Sequence, residues 1–337
     1  MIITYFRSSS YTRWDFCPQL YFIEYCLGWS GKSNMKADKG TITHKVLEIL
    51  ANLNITKKKN RDIFTDDILG NISVNGVDIN KITKDVYNYY SAATPHHDWS
   101  TGDYHDCKEW VWKVIKYNDG QFDPRKRNII AAEPHFDFEI KKPWAKYSYN
   151  HDGKVLSGHL ALKGTIDLIT RLDDGILEIV DWKTGRRLNW ATGEEKTQEC
   201  FKDDPQLRLY HYAVNQLYNV DQVLVTIYYI NDGGPFTVFF DKTDLEKTEQ
   251  MIRSRFMIIK NVTNPCLNKS WKCSKLCDAG KTTFERTNIK PMVINNQMLT
   301  KCEQIKYELD RCQMCDVIDK YKNPDFTIGT YKNPGEV

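Results

Sequence analysis

Two predicted β-strands joined by a tight turn constrain the fold of this chain more than any other feature. The runs 158–172 and 176–183 are rich in apolar and β-branched residues, and the Asp-Asp-Gly between them is a typical hairpin turn. Asp167 lies near the end of the first strand, and Asp181 and Lys183 lie in the second. Because side chains alternate between the two faces of a strand, Asp181 and Lys183 project from one face, about 6–7 Å apart. The sequence therefore predicts two carboxylates and one ammonium group at the same sheet edge.

This grouping has a chemical and a structural interpretation. Carboxylate oxygens are the ligands that Mg²⁺ prefers, and a nearby lysine can orient or activate a water molecule. An Asp-x-Lys tripeptide is common, and by itself it is typical of a solvated strand face. The largely apolar run 177–180 in front of it predicts a central strand, which favours a functional site.

A predicted helix at 204–218 supplies two more polar residues. It begins with Asp-Pro, a typical helix start. Gln206 and Tyr210 lie on its apolar stripe, so both are expected to point toward the sheet. The alternative for Gln206 is a capping or buried structural amide.

Two further polar residues lie upstream in predicted regular structure. His44 lies beside the apolar stripe of helix 37–53, and Glu133 lies at the start of strand 131–140. A lone helical histidine is usually structural, and a glutamate at a strand end is usually solvated. Neither residue indicates a function without the others.

Taken in chain order, these residues resemble the motifs of the PD-(D/E)xK nuclease superfamily, in its RecB-like and CRISPR-adaptation-nuclease branch. The resemblance extends over about residues 8–260. Each motif alone is weak, but Asp-x-Lys-Thr-Gly preceded by Gly-x-x-Asp and followed by Gln-x-x-x-Tyr is a specific combination. The matching segments are Gly40-x-x-x-His44, Glu133, Gly164-x-x-Asp167, Asp181-x-Lys183-Thr184-Gly185 and Gln206-x-x-x-Tyr210.

The resemblance implies a metal-dependent DNA nuclease and a set of metal ligands. Asp167, Asp181 and the backbone carbonyl of Trp182 would hold Mg²⁺ or Mn²⁺, and His44 would be an added ligand. Such metal ions lower the pKa of bound water and neutralise charge that develops on the leaving oxygen.

The resemblance also implies roles for the remaining residues. Lys183 would orient the attacking water or stabilise the pentavalent phosphate, and Glu133 would hydrogen-bond Lys183 or reach the metal through water. Gln206 and Tyr210 would order the site or contact the DNA strand. An exonuclease that acts on DNA ends in repair, recombination or replication fits this branch best. The alternatives are a non-catalytic DNA-end-binding module and a structure- or sequence-specific endonuclease.

The order of predicted elements gives a mixed α/β fold, with a restriction-endonuclease-like core in which helices flank a central sheet. We expect a helical N-terminal region at 1–130 with an insertion at about 54–110, the nuclease core at 131–262 and a Cys-rich region at 263–337. The predicted elements are helices 10–27 and 37–53, strands 131–140, 158–172 and 176–183, helix 204–218, strands 222–230 and 235–240, and helix 243–261, which a Thr243-x-x-Glu246 capping box would begin.

The expected insertion contains a predicted helix at 80–93 and the sequence His96-His97-Asp98-Trp99. Two adjacent histidines raise the question of a metal site. Their spacing matches no familiar ligand pattern, so a loop is the favoured interpretation.

Ten cysteines are many for a chain that is expected to be cytoplasmic, where disulfides are rare, and this favours a metal or cluster site. Cys26, Cys107 and Cys200 are isolated and typical of packing residues. The C-terminal region holds a closely spaced set, which is Cys266, Cys273, Cys277, Cys302, Cys312 and Cys315.

The segment 8–25 resembles the opening helix of iron–sulfur members of the same nuclease branch. The resemblance implies that Cys17 and three C-terminal cysteines hold a [4Fe–4S] cluster, which needs four thiolates. By order, the four are Cys17, Cys273, Cys277 and Cys302. The Cys-x₃-Cys spacing departs from the usual Cys-x₂-Cys, and Cys302 follows only 25 residues later.

These departures leave other ligand sets open. Cys312 or Cys315 could be the fourth ligand, or this pair could close a structural Zn²⁺ site with Cys266 or Cys302. Free thiols are the remaining alternative.

A formal net charge of +3 is weak evidence for nucleic acid, but basic residues cluster at 57–61, 125–127 and 183–187. The last cluster adjoins the candidate metal ligands, where a phosphate backbone would pass. The expected partner is DNA, single-stranded or with free ends, and a helicase or recombination protein is a further candidate. No apolar run reaches about 18 residues, so no membrane span is expected. The expected location is cytoplasmic, in a host cell if the source is a phage or virus.

Overall fold

The computed structural model describes residues 1–31, 33–188, 194–281 and 290–326. The chain divides into two compact units, a first one of Met1–Lys32, Phe136–Gly164 and Glu246–Val337, and a second one of Ser33–His135 and Thr165–Leu245. Each unit combines segments that are distant in sequence. The three consecutive regions expected from the sequence stay a prediction.

The elements of the described residues are named in chain order. The α-helices are α1 (Ser8–Phe16), α2 (Pro18–Tyr21), α3 (Met35–Lys58), α4 (Ile79–Ala93), α5 (Thr101–Lys116), α6 (Gln198–Lys202), α7 (Pro205–Tyr218), α8 (Lys242–Asn261), α9 (Trp271–Lys275), α10 (Asp278–Lys281), α11 (Lys301–Leu309) and α12 (Met314–Tyr321). The strands are β1 (Tyr5–Phe6), β2 (Ile63–Asp66), β3 (Gly70–Ser73), β4 (Ile129–Ala132), β5 (His135–Glu139), β6 (Lys146–His151), β7 (Lys154–His159), β8 (Ala161–Thr165), β9 (Leu168–Arg171), β10 (Leu177–Lys183), β11 (Val223–Tyr229), β12 (Gly234–Phe240), β13 (Val293–Ile294) and β14 (Gln297–Met298). No helix in this part of the chain combines the length and the apolar character that crossing a membrane requires.

A mixed five-stranded sheet in the order β12-β11-β10-β9-β4 forms the centre of the second unit. β10 pairs in parallel with β11, and the other neighbours are antiparallel. β10 is a central strand because apolar residues occur on both of its faces, and all of its residues except Lys183 are buried. Gly175, with φ +89°, makes the hairpin turn between β9 and β10 as predicted. The predicted mixed α/β fold is confirmed.

α3 is the main helix of the second unit. One of its stripes, which includes Ile42 and Val46, packs against the hairpin β2–β3 and against α4 and α5. A second stripe, with Leu47 and Ala51, packs against Val180 and Trp182 of β10. The helix predicted at 80–93 is confirmed as α4.

The first unit joins the two ends of the chain. Its sheet has the order β1-β8-β5, with β1 parallel to β8, and β6 and β7 form a separate hairpin. The α-amino group of Met1 donates to the carbonyl of Ile259 at 3.2 Å. The backbone N–H of Gln19 donates to the carbonyl of Cys266 at 3.1 Å. Early and late segments of the chain are therefore in direct contact within this unit.

Two predicted strands are divided in the structure. Strand 131–140 becomes β4 and β5, because Glu133 adopts φ +47° and Pro134 has no N–H to donate to a ladder. Strand 158–172 becomes the end of β7, then β8 and β9, and the N–H groups of Leu160 and Ile166 donate to carbonyls outside these ladders.

Three predicted helix boundaries were wrong, and one of them is the end of helix 37–53, which continues to Lys58 as α3. The helix predicted at 10–27 is broken at Cys17, whose φ of −166° is extended, as the residue before a proline prefers. α8 begins at Lys242, and Asp241 accepts from the N–H of Thr243 at 2.8 Å. Asp244 in turn accepts from the N–H of Asp241 at 3.1 Å. The reciprocal cap is therefore Asp241 with Asp244, and the Thr243-based capping box does not form.

Candidate active site

The end of a strand ladder positions Asp167. β9 pairs with β10 as far as Leu168, opposite Val180, and Asp167 directly precedes β9. The backbone N–H of Trp182, further along β10, donates to Asp167 Oδ2 at 2.7 Å. The carboxylate therefore continues the hydrogen bonding of the ladder after the strand itself has ended. As a result, the sheet fixes a buried carboxylate beside β10.

The backbone carbonyl of Trp182 faces the same side as Asp167. In a strand, the N–H and C=O of one residue point to the same side and those of the next residue point to the other. The carbonyl of Lys183 accepts from the N–H of Ile230 at 2.9 Å, just after β11. The backbone N–H and C=O of Lys183 therefore face β11. The backbone carbonyl of Trp182 then points to the opposite side, toward Asp167, as the predicted role of this carbonyl as a metal ligand requires.

Asp181 and Lys183 form an ion pair in which the carboxylate is buried. Asp181 Oδ2 lies 2.6 Å from Lys183 Nζ, and the side chain of Asp181 is 1% exposed. Burial raises the pKa of Asp181 to about 6, helped by Asp167 and opposed by Lys183. Burial would lower the pKa of Lys183, but Asp181 and Asp167 outweigh it and raise that pKa. Lys183 is therefore charged at neutral pH, which suits stabilising a phosphate and not removing a proton from water.

Asp181 Oδ2 has the properties of a metal ligand. Despite its distance of 2.6 Å from Lys183 Nζ, it accepts no well-oriented hydrogen bond from the described residues. A buried carboxylate oxygen with a free lone-pair direction is unusual, and hard divalent cations take oxygen ligands of this kind. The residues present thus fit Mg²⁺ or Mn²⁺.

α7 brings Gln206 and Tyr210 to the other oxygen of Asp181. Asp204 caps this helix and accepts from the N–H of Gln206 at 2.9 Å, with Pro205 in the first helical position, as predicted. Gln206 Nε2 donates to Asp181 Oδ1 at 3.2 Å and to Tyr210 Oη at 2.7 Å. Burial, and then Asp181, raise the pKa of Tyr210 well above its usual value, so its hydroxyl stays protonated. Gln206 and Tyr210 therefore hold the carboxylate of Asp181 in place.

His44, Glu133 and Asp167 form a group with three potential ligand atoms. These atoms all lie within 4.8 Å of one another. His44 Nδ1 is 3.5 Å from Asp167 Oδ2. The N–H of Glu133 donates to the carbonyl of Asp167 at 3.0 Å, in the left-handed turn that separates β4 from β5.

Burial and the neighbouring charges together set the protonation of this group. Burial raises the pKa of Glu133 to about 9, and Asp167 adds to the rise while His44 opposes it. Burial would lower the pKa of His44, but Asp167 and Glu133 raise it to about 9. Burial would raise the pKa of Asp167, but His44, Lys183 and the N–H of Trp182 hold it below its usual value. A cation that bound here would displace protons.

Gly40 explains how α3 can present His44 to the sheet. A Cβ atom at Gly40 would lie 2.8 Å from Thr184 Oγ1, a contact closer than real Cβ atoms make. The missing side chain therefore lets α3 lie against the residue that follows β10. One helical turn later, His44 is on the same face and its ring meets the edge of the Trp182 ring, with centroids 6.3 Å apart.

We predict that Gly40→Ala reduces the DNA cleavage expected of this site by about tenfold to hundredfold, because displacement of α3 moves His44 relative to Asp167. The control is Gly102→Ala in the first turn of α5, where the added Cβ would lie at an ordinary 3.5 Å from Ser100 Oγ. Alanine there should raise the melting temperature through its better helix propensity. Cleavage by Gly40→Ala at the rate of Gly102→Ala would contradict the close-approach argument.

Arg187 of the basic cluster is engaged within the protein. Its Nη1 donates to the carbonyl of Lys196 at 2.6 Å, and its Nη2 pairs with Glu195 Oε2 at 2.8 Å. The guanidinium also lies 4.6 Å from the ring centroid of Phe236. Arg186 is exposed. Of the two arginines, Arg186 is therefore the one placed to meet a phosphate.

Electrostatic effects link four of the sequence-selected cysteines in the first unit. The thiol of Cys302 is buried, and burial raises its pKa well above the usual range. Cys17, Cys277 and Cys273 each raise it further. Burial likewise raises the pKa of Cys277, and Cys17 and Cys273 add to the rise. Cys17 is itself buried, at 3% exposure.

Contacts between the chain ends hold this cysteine group. Asn268 Nδ2 donates to the carbonyl of Phe16 at 3.3 Å, and Lys272 Nζ lies 5.7 Å from the centroid of the Phe16 ring. Of the other candidate ligands, Cys312 is exposed and Cys315 Sγ is 3.8 Å from the carbonyl of Asn150, whereas the exposed Cys266 is hydrogen-bonded through its carbonyl to the N–H of Gln19.

The family model of the PD-(D/E)XK nuclease superfamily matches residues 8–319. The chain therefore belongs to the PD-(D/E)XK nuclease superfamily, and its mixed sheet with flanking helices is the restriction-endonuclease-like core of that family. The search of curated proteins found no match.

The solved structures that are similar to the chain include the following two. One is a protein from Eubacterium rectale described as a proposed exonuclease, at 12% identity and a TM-score of 0.46, with 86% of this chain and 90% of that chain covered. The other is the protein SSO0001, at 15% identity and a TM-score of 0.26, with 60% of this chain and 82% of that chain covered.

The structure also contains a group of potential ligands that the sequence did not predict. Asp38 joins His96 and His97, and their ligand atoms lie within 4.8 Å of one another. The two histidines lie in a loop after α4, as expected. The third member lies far away in sequence, on α3, so no local spacing could indicate it.

Proposed function

We propose that this protein is a metal-dependent deoxyribonuclease that hydrolyses phosphodiester bonds from DNA ends. One observation carries the proposal. Asp167 and Asp181 are buried at adjoining strand ends with Lys183 paired to Asp181, and Asp181 keeps one carboxylate oxygen without a well-oriented donor among the described residues. Membership of the nuclease superfamily supports the interpretation of this arrangement as a cleavage site. Repair, recombination or replication would supply such ends, and a helicase or recombination protein would be a suitable partner.

The proposed mechanism gives each side chain one task. Asp167, Asp181, the carbonyl of Trp182 and His44 would hold Mg²⁺ or Mn²⁺, which when bound lowers the pKa of water and offsets charge on the leaving oxygen. Charged Lys183, 2.6 Å from Asp181, would orient the attacking water or stabilise the pentavalent phosphate.

The remaining polar residues would support this chemistry. Gln206 and Tyr210 would keep Asp181 in place through the hydrogen bonds of Gln206 Nε2. Glu133, whose pKa burial raises to about 9, would reach the metal through water or hydrogen-bond Lys183.

Cleavage of end-labelled DNA with and without Mg²⁺ or Mn²⁺ tests the proposal, on linear single strands, linear duplexes and closed circles. We expect metal-dependent release of nucleotides from linear substrates and intact circles. Cleaved circles would make the protein an endonuclease instead. Binding to DNA ends without cleavage in either metal would make it a non-catalytic end-binding module.

We also propose that Cys17, Cys273, Cys277 and Cys302 hold a [4Fe–4S] cluster in the first unit. Cys17, Cys273 and Cys277 add to the raised pKa of the buried Cys302, and Cys17 and Cys273 add to that of the buried Cys277, which supports this set over one with Cys312 or Cys315. Anaerobically purified protein should be brown and contain about four iron atoms per chain. Stoichiometric zinc in a colourless protein would favour the structural Zn²⁺ alternative.

We predict that binding to single-stranded DNA weakens steeply with salt, because each phosphate contact releases counterions. Arg186→Ala should lower the slope of log Kobs against log salt by about 0.7, the value for one contact on a single strand. The control is Lys84→Ala, an exposed residue on α4, which should leave the slope unchanged. These measurements are made without divalent cations so that the DNA stays intact. Binding that is flat from low to moderate salt would mean that nucleic acid is the wrong class of partner.

A further inference from the structure

A cluster of two imidazoles and one carboxylate lies outside the proposed active site. Asp38 belongs to α3, and His96 and His97 belong to the loop between α4 and α5. Each side chain offers one ligand atom, and the three atoms lie within 4.8 Å of one another. The cluster shares no residue with the group formed by His44, Glu133 and Asp167.

The cluster is held in place by its surroundings. Asp38 Oδ2 accepts from Ser33 Oγ at 2.7 Å and lies 2.7 Å from His97 Nε2. The side chains of Asp38 and His97 are each only 11% exposed. The backbone N–H of His97 donates to the carbonyl of Thr94 at 3.2 Å, and the Trp99 ring meets the His97 ring edge-on, with centroids 5.8 Å apart. A hydrogen-bonded carboxylate and an oriented imidazole are what the ligands of a metal site require.

The ligand types select a class of metal. Imidazole suits zinc and the later first-row transition metals, whereas Mg²⁺ and Ca²⁺ take oxygen ligands. Tetrahedral zinc, with Zn–N distances of about 2.0–2.1 Å, separates its ligand atoms by about 3.3 Å. The three ligand atoms already lie within 4.8 Å of one another. Small side-chain rotations therefore suffice to bring them to the separations that zinc requires. Because His96 is exposed, a water molecule could complete the coordination.

We propose that Asp38, His96 and His97 form a binding site for a zinc-class divalent cation, separate from the catalytic metal. The bound ion would tie the loop 94–100 to the first turns of α3, the helix that also carries His44. This proposal is independent of nuclease activity, because it concerns only ion binding at these three side chains.

The test uses one tryptic peptide that carries its own control. Residues 85–108 contain no internal lysine or arginine, and they include His96, His97 and the exposed His105. The full-length protein is treated with diethyl pyrocarbonate, and modification of each histidine is measured by tandem mass spectrometry, with and without Zn²⁺. Because the readout is specific to each histidine, zinc bound at the cysteines or at the active site does not contribute to it.

We expect Zn²⁺ at ten times its dissociation constant to slow modification of His96 and His97 by about tenfold, leaving His105 unchanged. Mg²⁺ should protect neither. His96→Ala removes an exposed side chain, so the fold is kept, and it should abolish the protection of His97; Asp38→Asn should do the same. Equal modification with and without Zn²⁺, or full protection of His97 in His96→Ala, would overturn the proposal and leave His97 and Asp38 as an ordinary ion pair.

Discussion

Asp181→Asn is expected to reduce cleavage by at least about a hundredfold, or about 3 kcal/mol of transition-state stabilisation, while the protein stays folded. Asparagine has the same shape and keeps an oxygen for Gln206, so the buried position is refilled. It carries no charge, so it cannot serve as the carboxylate ligand. The measurement is the single-turnover rate on labelled DNA in Mg²⁺ and in Mn²⁺.

Stability should separate this effect from misfolding. The pKa of Asp181 is raised to about 6, so at neutral pH its negative charge is less favourable in the folded state than in the unfolded chain. Removing the charge therefore stabilises the folded state. Loss of the partner of Lys183 acts in the opposite direction. The melting temperature should therefore move by only a few degrees. Asp173→Asn, in the exposed turn between β9 and β10, is the matched control. Wild-type cleavage by Asp181→Asn would refute the assignment of this residue.

Cys17→Ser should remove the metal proposed for the first unit and lower the melting temperature by about 10 °C or more. Cys17 lies near one end of the chain and Cys273, Cys277 and Cys302 near the other, so a shared cluster would join both ends. A site that exists only in the folded state adds its binding free energy to folding. Iron and zinc content per chain and thermal unfolding under anaerobic conditions are the measurements.

Cys26→Ser is the control for a buried cysteine outside the cluster. Cys26 is 1% exposed and belongs to the same unit. Because the serine hydroxyl would be buried, this replacement should lower the free energy of unfolding by about 1–2 kcal/mol. It should leave the metal content unchanged. If Cys17→Ser also keeps its full metal content and melts like Cys26→Ser, Cys17 is not a ligand.

The sequence predicted best the elements whose signals are local. β10 and its hairpin follow from an apolar run and an Asp-Asp-Gly turn, and α7 follows from Asp204-Pro205 and an apolar stripe. The choice of Cys17, Cys273, Cys277 and Cys302 as a ligand set stays a prediction, and so does the iron–sulfur assignment itself.

Features that depend on contacts distant in sequence could not be predicted. The division of strand 131–140 depends on the left-handed turn at Glu133, which the fold imposes against the usual preference of glutamate. The charges of the active site depend on burial, and a sequence does not give burial to the accuracy that a pKa requires. The meeting of Asp38 with His97 requires α3 and a later loop to lie together.

The hydrogen bond from the Trp182 N–H to Asp167 has a consequence for relatives that have lost activity. Asp167 supports the sheet as well as the proposed chemistry, because its carboxylate is bound to the backbone of β10. Asp181, by contrast, receives its hydrogen bond from a side chain, that of Gln206. Replacing Asp181 therefore removes no hydrogen bond from the backbone of β10. Replacing Asp167 leaves the buried N–H of Trp182 unpaired, which lowers the stability of the fold by about 1–3 kcal/mol. In inactive descendants of this fold, we expect substitutions to accumulate first at Asp181, while Asp167 persists as a structural residue.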